Sequence, residues 1–130
     1  MIRFVIGTQG VRFTVRVYES RREMQVAYRA WPHAEPDDDG WAARVSPVRV
    51  MRDGRWMPTV GYVWLSRDHC GTQLIAHEVV HMALAAYREI SGVGANFGKQ
   101  CSKREESLAW LYQALFGKMN VKLHDLGIWS

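Results

Sequence analysis

Two histidines and a glutamate stand close together near the middle of the chain, in the order His77-Glu78-Val79-Val80-His81. On a helix, side chains four positions apart share one face, so both imidazoles can bind a single metal ion. Glu78 is rotated by about 100° from His77 and can act on a water molecule without being a ligand. The spacing therefore favours hydrolysis by a zinc-activated water, with Glu78 as the general base.

A catalytic zinc ion needs a third protein ligand and one open position, so another part of the chain must contribute. A third histidine further along the same helix would require a glycine at position 84 and a histidine at position 87. The chain has Leu84 and Tyr87 there, which excludes the metzincin class. Two adjacent carboxylates at the start of a second predicted helix, Glu105 and Glu106, are the better candidates. Helical geometry favours Glu105, which shares the apolar face of Leu108, whereas Glu106 is turned about 100° from it; the ligand face of the first helix is not its core face either, so both stay open.

Two helices are predicted to position these groups. From Gly71 onward, apolar residues recur with the 3.6-residue period on the face opposite the histidines, at Ile75, Val79, Met82, Ala86 and Ile90. This helix is predicted to stop at residues 91–94. The second helix is predicted from about Ser102 to Phe116, with an end at Gly117 and an apolar stripe of Leu108, Leu111, Tyr112, Leu115 and Phe116. Residues 118–130 are expected to form a short strand or an extension packed over the sheet.

The first half of the chain has the two-residue period of β-strands. Ile2–Ile6 and Val11–Tyr18 flank Gly7-Thr8-Gln9-Gly10, which predicts a hairpin. Met24–Ala30 is interpreted as a third strand.

A second hairpin is predicted where Trp41–Met51 and Trp56–Leu65 flank Asp53-Gly54. Pro47 and Pro58 indicate that these strands are interrupted or lie at an edge. The order of elements predicts one α+β domain of 130 residues. In it, an N-terminal antiparallel sheet packs against the H-E-x-x-H helix and a second, C-terminal helix.

Charge and composition restrict the function classes. The net charge is +4, but the basic residues are scattered, so a solvated positive face is favoured over a nucleic-acid interface. The six tryptophans are expected to be buried at sheet edges rather than exposed for base stacking. Two cysteines are too few for a disulfide-framed secreted domain, and residues 1–10 lack the features of a signal peptide. No segment reaches the ~18 apolar residues of a membrane span. We therefore expect a cytoplasmic location and no membrane partner.

The two cysteines, Cys70 and Cys101, each precede a predicted helix, and burial as small apolar groups is favoured for both. Peptide deformylases combine an H-E-x-x-H helix with a cysteine ligand that lies far upstream in a glycine-rich motif. Cys70 instead lies on the His77 helix or at its cap, so a deformylase site is disfavoured.

The segment Leu74-Ile75-Ala76-His77-Glu78-Val79-Val80-His81, followed by Glu105-Glu106-Ser107-Leu108-Ala109-Trp110-Leu111, resembles the ImmA/IrrE-like metallopeptidases, a gluzincin-type family. It looks even closer to the small zinc peptidases carried by many bacteriophages. The resemblance covers about residues 60–116 and includes Val60–Leu65 as an edge strand over the metal. It implies one zinc ion per chain held by His77, His81 and Glu106, with Glu105 as a partner of a ligating histidine or as the fallback ligand.

The resemblance implies that the chain hydrolyses peptide bonds in a peptide or protein substrate, with Glu78 passing the proton to the leaving amine. An extended substrate could add to the strand Gly61–Leu65. Tyr87 and Tyr112 are candidate donors to the oxyanion, although core packing is favoured for each. The alternatives are a metal-binding protein that binds a partner without cleaving it, and a basic nucleic-acid-binding module with an accidental motif. A phage origin would place the protein in the host cytoplasm.

Overall fold

The computed structural model describes residues 1–36, 40–48, 51–52, 55–56, 60–91 and 101–128. Its elements, in chain order, are β1 (Ile2–Thr8), β2 (Val11–Tyr18), α1 (Arg21–Arg29), β3 (Arg44–Val48), β4 (Met51–Arg52), β5 (Arg55–Trp56), β6 (Val60–Ser66), α2 (Thr72–Ser91) and α3 (Cys101–Asp125). The architecture is α+β, which confirms the predicted fold class. No helix among the described residues has both the length and the apolar character that crossing a membrane requires.

The predicted first hairpin is confirmed. Strands β1 and β2 pair in antiparallel register from Ile2 opposite Val17 to Thr8 opposite Val11. Gln9 and Gly10 form the turn between them with φ angles of 49° and 82°. Positive φ at both central positions matches the right-handed twist of the flanking strands, and glycine adopts it at no steric cost.

The main sheet has the strand order β1-β2-β6-β3 and is mixed rather than antiparallel. Strands β2 and β6 pair in parallel, while β3 and β6 are antiparallel. The predicted all-antiparallel pairing is therefore wrong at one position. A parallel pair needs a long crossover, and here the chain between β2 and β6 contains α1 and β3.

The predicted third strand, Met24–Ala30, is also wrong, because this segment belongs to helix α1. Ser20 caps that helix, its hydroxyl accepting a hydrogen bond from the backbone N–H of Glu23 at 3.2 Å. A serine followed three residues later by a glutamate is the signature of a capping box. Met24 and Tyr28 then fall on one helical face and are buried against the sheet.

The second hairpin is confirmed by the pairing of β4 with β5, although Asp53, Gly54 and Pro58 themselves lie outside the described residues. The predicted strand Trp56–Leu65 is divided between β5 and β6. Strand β3, which contains Pro47, forms one edge of the main sheet, as the proline indicates.

The sheet has a hydrophobic layer on each face. Helices α2 and α3 cover one face, where Phe13, Val15, Val63 and Leu65 are fully buried. Helix α1 lies on the other face, over a smaller cluster around Tyr28 and Trp64. Alternate residues of β6 therefore point into different layers, as the pleat requires.

Helix α3 does not end at Gly117 but continues to Asp125, so that prediction is wrong. Gly117 is tolerated inside the helix because the surrounding space is open. The helix ends instead at Gly127, with φ 70°, whose N–H bonds to the carbonyl of His124, while the N–H of Ile128 bonds to that of Leu123. These two bonds are those of a Schellman cap. The additional turns bury Met119 and Leu123 beside the predicted residues Leu111 and Leu115.

Gly61 tests the register between β2 and β6. A methyl carbon at this position would lie 2.5 Å from Cδ1 of Phe13, the residue directly opposite. Gly61→Ala should therefore lower the free energy of unfolding by about 1–3 kcal/mol, measured by urea denaturation. In the matched control Gly117→Ala, an open helical position should instead gain about 0.5–1 kcal/mol. Equal stability of the two variants would contradict both the register and the continuous α3.

Candidate metal centre

Helix α2 has a buried face that anchors it and an exposed face that carries both histidines. Four of the five residues predicted on its apolar face, Ile75, Val79, Met82 and Ala86, are fully buried in the main core. Ile90, the fifth, is 43% exposed, so the anchoring face ends one turn earlier than its period predicts. On the opposite side, His77 and His81 are exposed. Because the buried face fixes the rotation of the helix, both imidazoles are held towards solvent.

The two imidazoles converge as a single metal ion requires. Their Nε2 atoms are 3.2 Å apart, and their rings meet edge to face with centroids 4.9 Å apart. Two nitrogen ligands at about 2.0–2.1 Å from one tetrahedral zinc ion lie about 3.3–3.4 Å from each other. The observed separation fits this value without any movement of the backbone. Zinc therefore suits this pair of donors.

Glu78 lies between the exposed face and the core and is only 5% exposed. Burial raises the pKa of its carboxyl above the ordinary value, and the charges of His81, His77 and Arg44 oppose this rise. A carboxyl group with a raised pKa is a better proton acceptor towards water than an exposed glutamate, which suits a general base. The Glu78 side chain therefore lies next to both histidines in the chain but, unlike them, is buried.

The predicted third ligand is not brought to this pair. Glu105 and Glu106 are exposed in the N-terminal part of α3. Within the described ranges, no three His, Cys, Asp or Glu side chains are grouped so that they could hold a metal ion. Residues 92–100, which precede α3 in the chain, are outside those ranges. The choice of Glu106 over Glu105 stays a prediction.

The two candidate oxyanion donors both pack in the core. Tyr87 is buried in the main cluster with the apolar face of α2. Tyr112 is half-buried and stacks on Phe116 with ring centroids 5.6 Å apart. These positions agree with the packing role favoured for each residue, and a donor role for either stays a prediction.

Cys70 has the environment of a structural thiol. It packs against the main core, and burial raises its pKa to about 11. A thiol that stays protonated at neutral pH is a poor ligand and a poor nucleophile. The side chain of Cys101 lies outside the described residues.

Sequence reasoning missed Arg44, which acts electrostatically on Glu78 from the edge strand β3. Its guanidinium carbon lies 4.6 Å from the ring centroid of Tyr28 and 5.0 Å from that of Trp41. These rings belong to the α1 layer, where Trp64 is fully buried and Trp31 packs on it. No spacing rule links Arg44 to the motif; only the β3–β6 register and the packing of α2 bring them together.

One tryptophan departs from the expected burial. Trp110 is 61% exposed.

A groove of about 500 Å³ lies beside Arg44. Its walls are the β3 edge on one side and the aromatic layer on the other, with Tyr28, Trp31, His33, Glu35, Arg44 and residues 45–48 as lining. The sequence does not predict this groove, since its two walls come from separate parts of the chain.

Comparison of the chain with protein-family models, with curated proteins and with solved structures gives no match. The functional interpretation therefore depends on the geometry of His77, Glu78 and His81 and on the groove at Arg44.

Glu78→Gln tests the burial of the carboxylate through stability. Because the pKa of Glu78 is raised in the folded state, its contribution to stability is full below its unfolded pKa of about 4.3 and is lost as pH rises. In metal-free protein, Glu78→Gln should therefore raise the melting temperature at pH 8 by a few degrees, and by less at pH 4. Thermal unfolding monitored by circular dichroism measures the difference.

The matched control is Glu106→Gln, which alters an exposed carboxylate and should change the melting temperature little at either pH. A gain for Glu78→Gln that is larger at pH 4 than at pH 8 would contradict the sign of the shift.

Proposed function

We propose that the chain is a single-domain zinc metallopeptidase similar to the ImmA/IrrE-like enzymes, with one zinc ion per chain held by His77, His81 and Glu106. The observation that carries this proposal is the 3.2 Å separation of the two histidine Nε2 atoms on the exposed face of α2. At this separation one ring can donate a hydrogen bond to the other, and the same separation fits two ligands of one zinc ion.

Glu78 supplies the proton transfers in the proposed reaction. Zinc, when bound, contributes Lewis-acid activation of water and of the substrate carbonyl. Glu78 accepts the proton from the attacking water and delivers it to the leaving amine, which completes hydrolysis of the amide bond. Its burial next to both histidines supports this role, because a low-polarity environment favours the protonated intermediate state of the carboxyl.

The predicted site for strand addition has to be moved. Strand β6, which contains Gly61–Leu65, is paired on both sides, with β2 and with β3, and cannot accept another strand. Strand β3 is the edge beside β6, and it contacts α2. We therefore assign the substrate to the edge of β3 that no other described strand occupies, where an extended peptide can form main-chain hydrogen bonds.

Zinc content and cleavage test the proposed function together. The purified wild-type protein should bind about one zinc per chain, and His77→Ala and His81→Ala should each abolish stoichiometric binding. His69→Ala is the matched control, because His69 precedes α2 and pairs with Asp68 at 3.1 Å instead of with the motif. Peptide cleavage should fall about 10²–10⁴-fold in Glu78→Gln while zinc is retained.

Two results would contradict the proposal. A wild-type protein that takes up no zinc on reconstitution would exclude the proposed zinc-dependent function. Cleavage that survives Glu78→Gln unchanged would exclude this glutamate as the general base, and an absence of cleavage with zinc bound would favour a partner-binding role.

The third ligand is tested by comparing Glu105→Ala with Glu106→Ala, two adjacent exposed carboxylates that serve as controls for each other. Loss of a direct ligand should weaken zinc binding by at least about tenfold more than loss of an outer partner. We expect Glu106→Ala to show the larger loss in a competitive chelator titration. The reverse order would reassign the ligand to Glu105.

A further inference from the structure

The groove between β3 and the aromatic layer is lined by Tyr28 and Arg44, two side chains that carry hydrogen-bond donors. Tyr28 is 1% exposed, and its hydroxyl is bonded to Arg44. That hydroxyl accepts two hydrogen bonds, one from the backbone N–H of Glu35 at 2.9 Å and one from Nη1 of Arg44. A hydroxyl has two lone pairs and one proton, so only the proton is left for a third partner.

Arg44 adds further donors at the same place. Its guanidinium has five N–H groups, of which one is used by Tyr28. Within the part of the chain that the structure describes, Arg44 forms no ion pair with a carboxylate. The rings of Tyr28 and Trp41 hold the guanidinium in place by cation–π contact. Its charge is therefore held in position at the groove.

We propose that this groove binds a carboxylate side chain of an extended peptide, so that the peptidase prefers substrates with an acidic residue. Arg44 and the Tyr28 proton would each donate to a carboxylate oxygen, and the bond from the ionised guanidinium is the stronger of the two. The inference rests on the proposed function only in calling the peptide a substrate.

The position of the groove explains why an acidic side chain can reach it. Pro47 has no N–H, so we expect its nitrogen to face away from the β6 ladder, and Val45 then presents its backbone groups to the same edge, where the described residues place no further strand. A peptide added at this edge points alternate side chains to opposite faces of the sheet. One set faces α2 and its histidines, and the other set faces the groove, where Arg44 and Ser46 lie.

The charges of the groove favour an anion over a cation. Glu35 also lines the groove, but it is exposed, and water screens its charge. Arg44 is half-buried between aromatic rings, where a charge acts through a lower effective dielectric constant. A bound carboxylate therefore interacts more strongly with Arg44 than with Glu35. The basic net charge of +4 acts in the same direction at longer range.

The test is a comparison of two blocked pentapeptides that differ only in a central glutamate or glutamine. Binding is measured by calorimetry to the purified full chain carrying Glu78→Gln, which prevents turnover. The glutamate peptide should bind at least about tenfold tighter than the glutamine peptide. This preference should disappear in Arg44→Gln and shrink in Tyr28→Phe, and circular dichroism shows that each variant is folded.

Arg3→Gln is the matched control, since it removes the same charge from exposed β1, at the opposite edge of the sheet. The preference should persist in this variant. Free glutarate should bind more weakly than the glutamate peptide because it cannot pair with β3; equal affinity would overturn the strand-addition part of the inference.

Equal affinity for both peptides, or a preference that survives Arg44→Gln and Tyr28→Phe, would overturn the inference. The proposed function fails separately. Cleavage without an acidic preference would overturn the groove assignment alone, whereas a glutamate preference without any cleavage by the wild-type chain would overturn the peptidase alone.

Discussion

Burial of one face of α2 against the sheet is the constraint on which the rest of the structure depends. Ile75, Val79, Met82 and Ala86 are fully buried, and each large apolar side chain stabilises the packed state by about 1.5–3 kcal/mol. Burial of this face fixes the rotation of α2 about its own axis. At this rotation His77 and His81 must face solvent, and Glu78 must lie at the boundary of the core.

The position of Glu78 at the core boundary raises the pKa of its carboxyl, and the same burial lowers the stability of the fold. Removal of a carboxylate from water is unfavourable, and the neighbouring cationic groups offset this only in part, as the raised pKa shows. Arg44 connects this electrostatic environment to the other face of the sheet, because it lies on edge strand β3 and packs on the rings of the α1 layer. Two layers of the fold thus meet at one edge, with the candidate metal site on one side and the groove on the other.

Local patterns in the sequence were sufficient for the features that depend on one segment. The two hairpins, the position of α2 and the exposure of its histidines follow from period and spacing alone. Features that need two distant segments could not be obtained in this way. The parallel pairing of β2 with β6 and the approach of Arg44 to Glu78 are both set by the path of the chain through α1. Two local errors had local causes, since the Ser20–Glu23 cap signals a helix where Met24–Ala30 suggests a strand, and Gly117 is tolerated within α3.

The location of bound zinc is the most direct test of the account. Anomalous diffraction at the zinc edge, from crystals of zinc-loaded protein, would show the ion without reference to activity. We predict a single peak about 2.0–2.1 Å from the Nε2 atoms of both His77 and His81. A peak at His33, at His69 or at Cys70, or no peak at all, would contradict it.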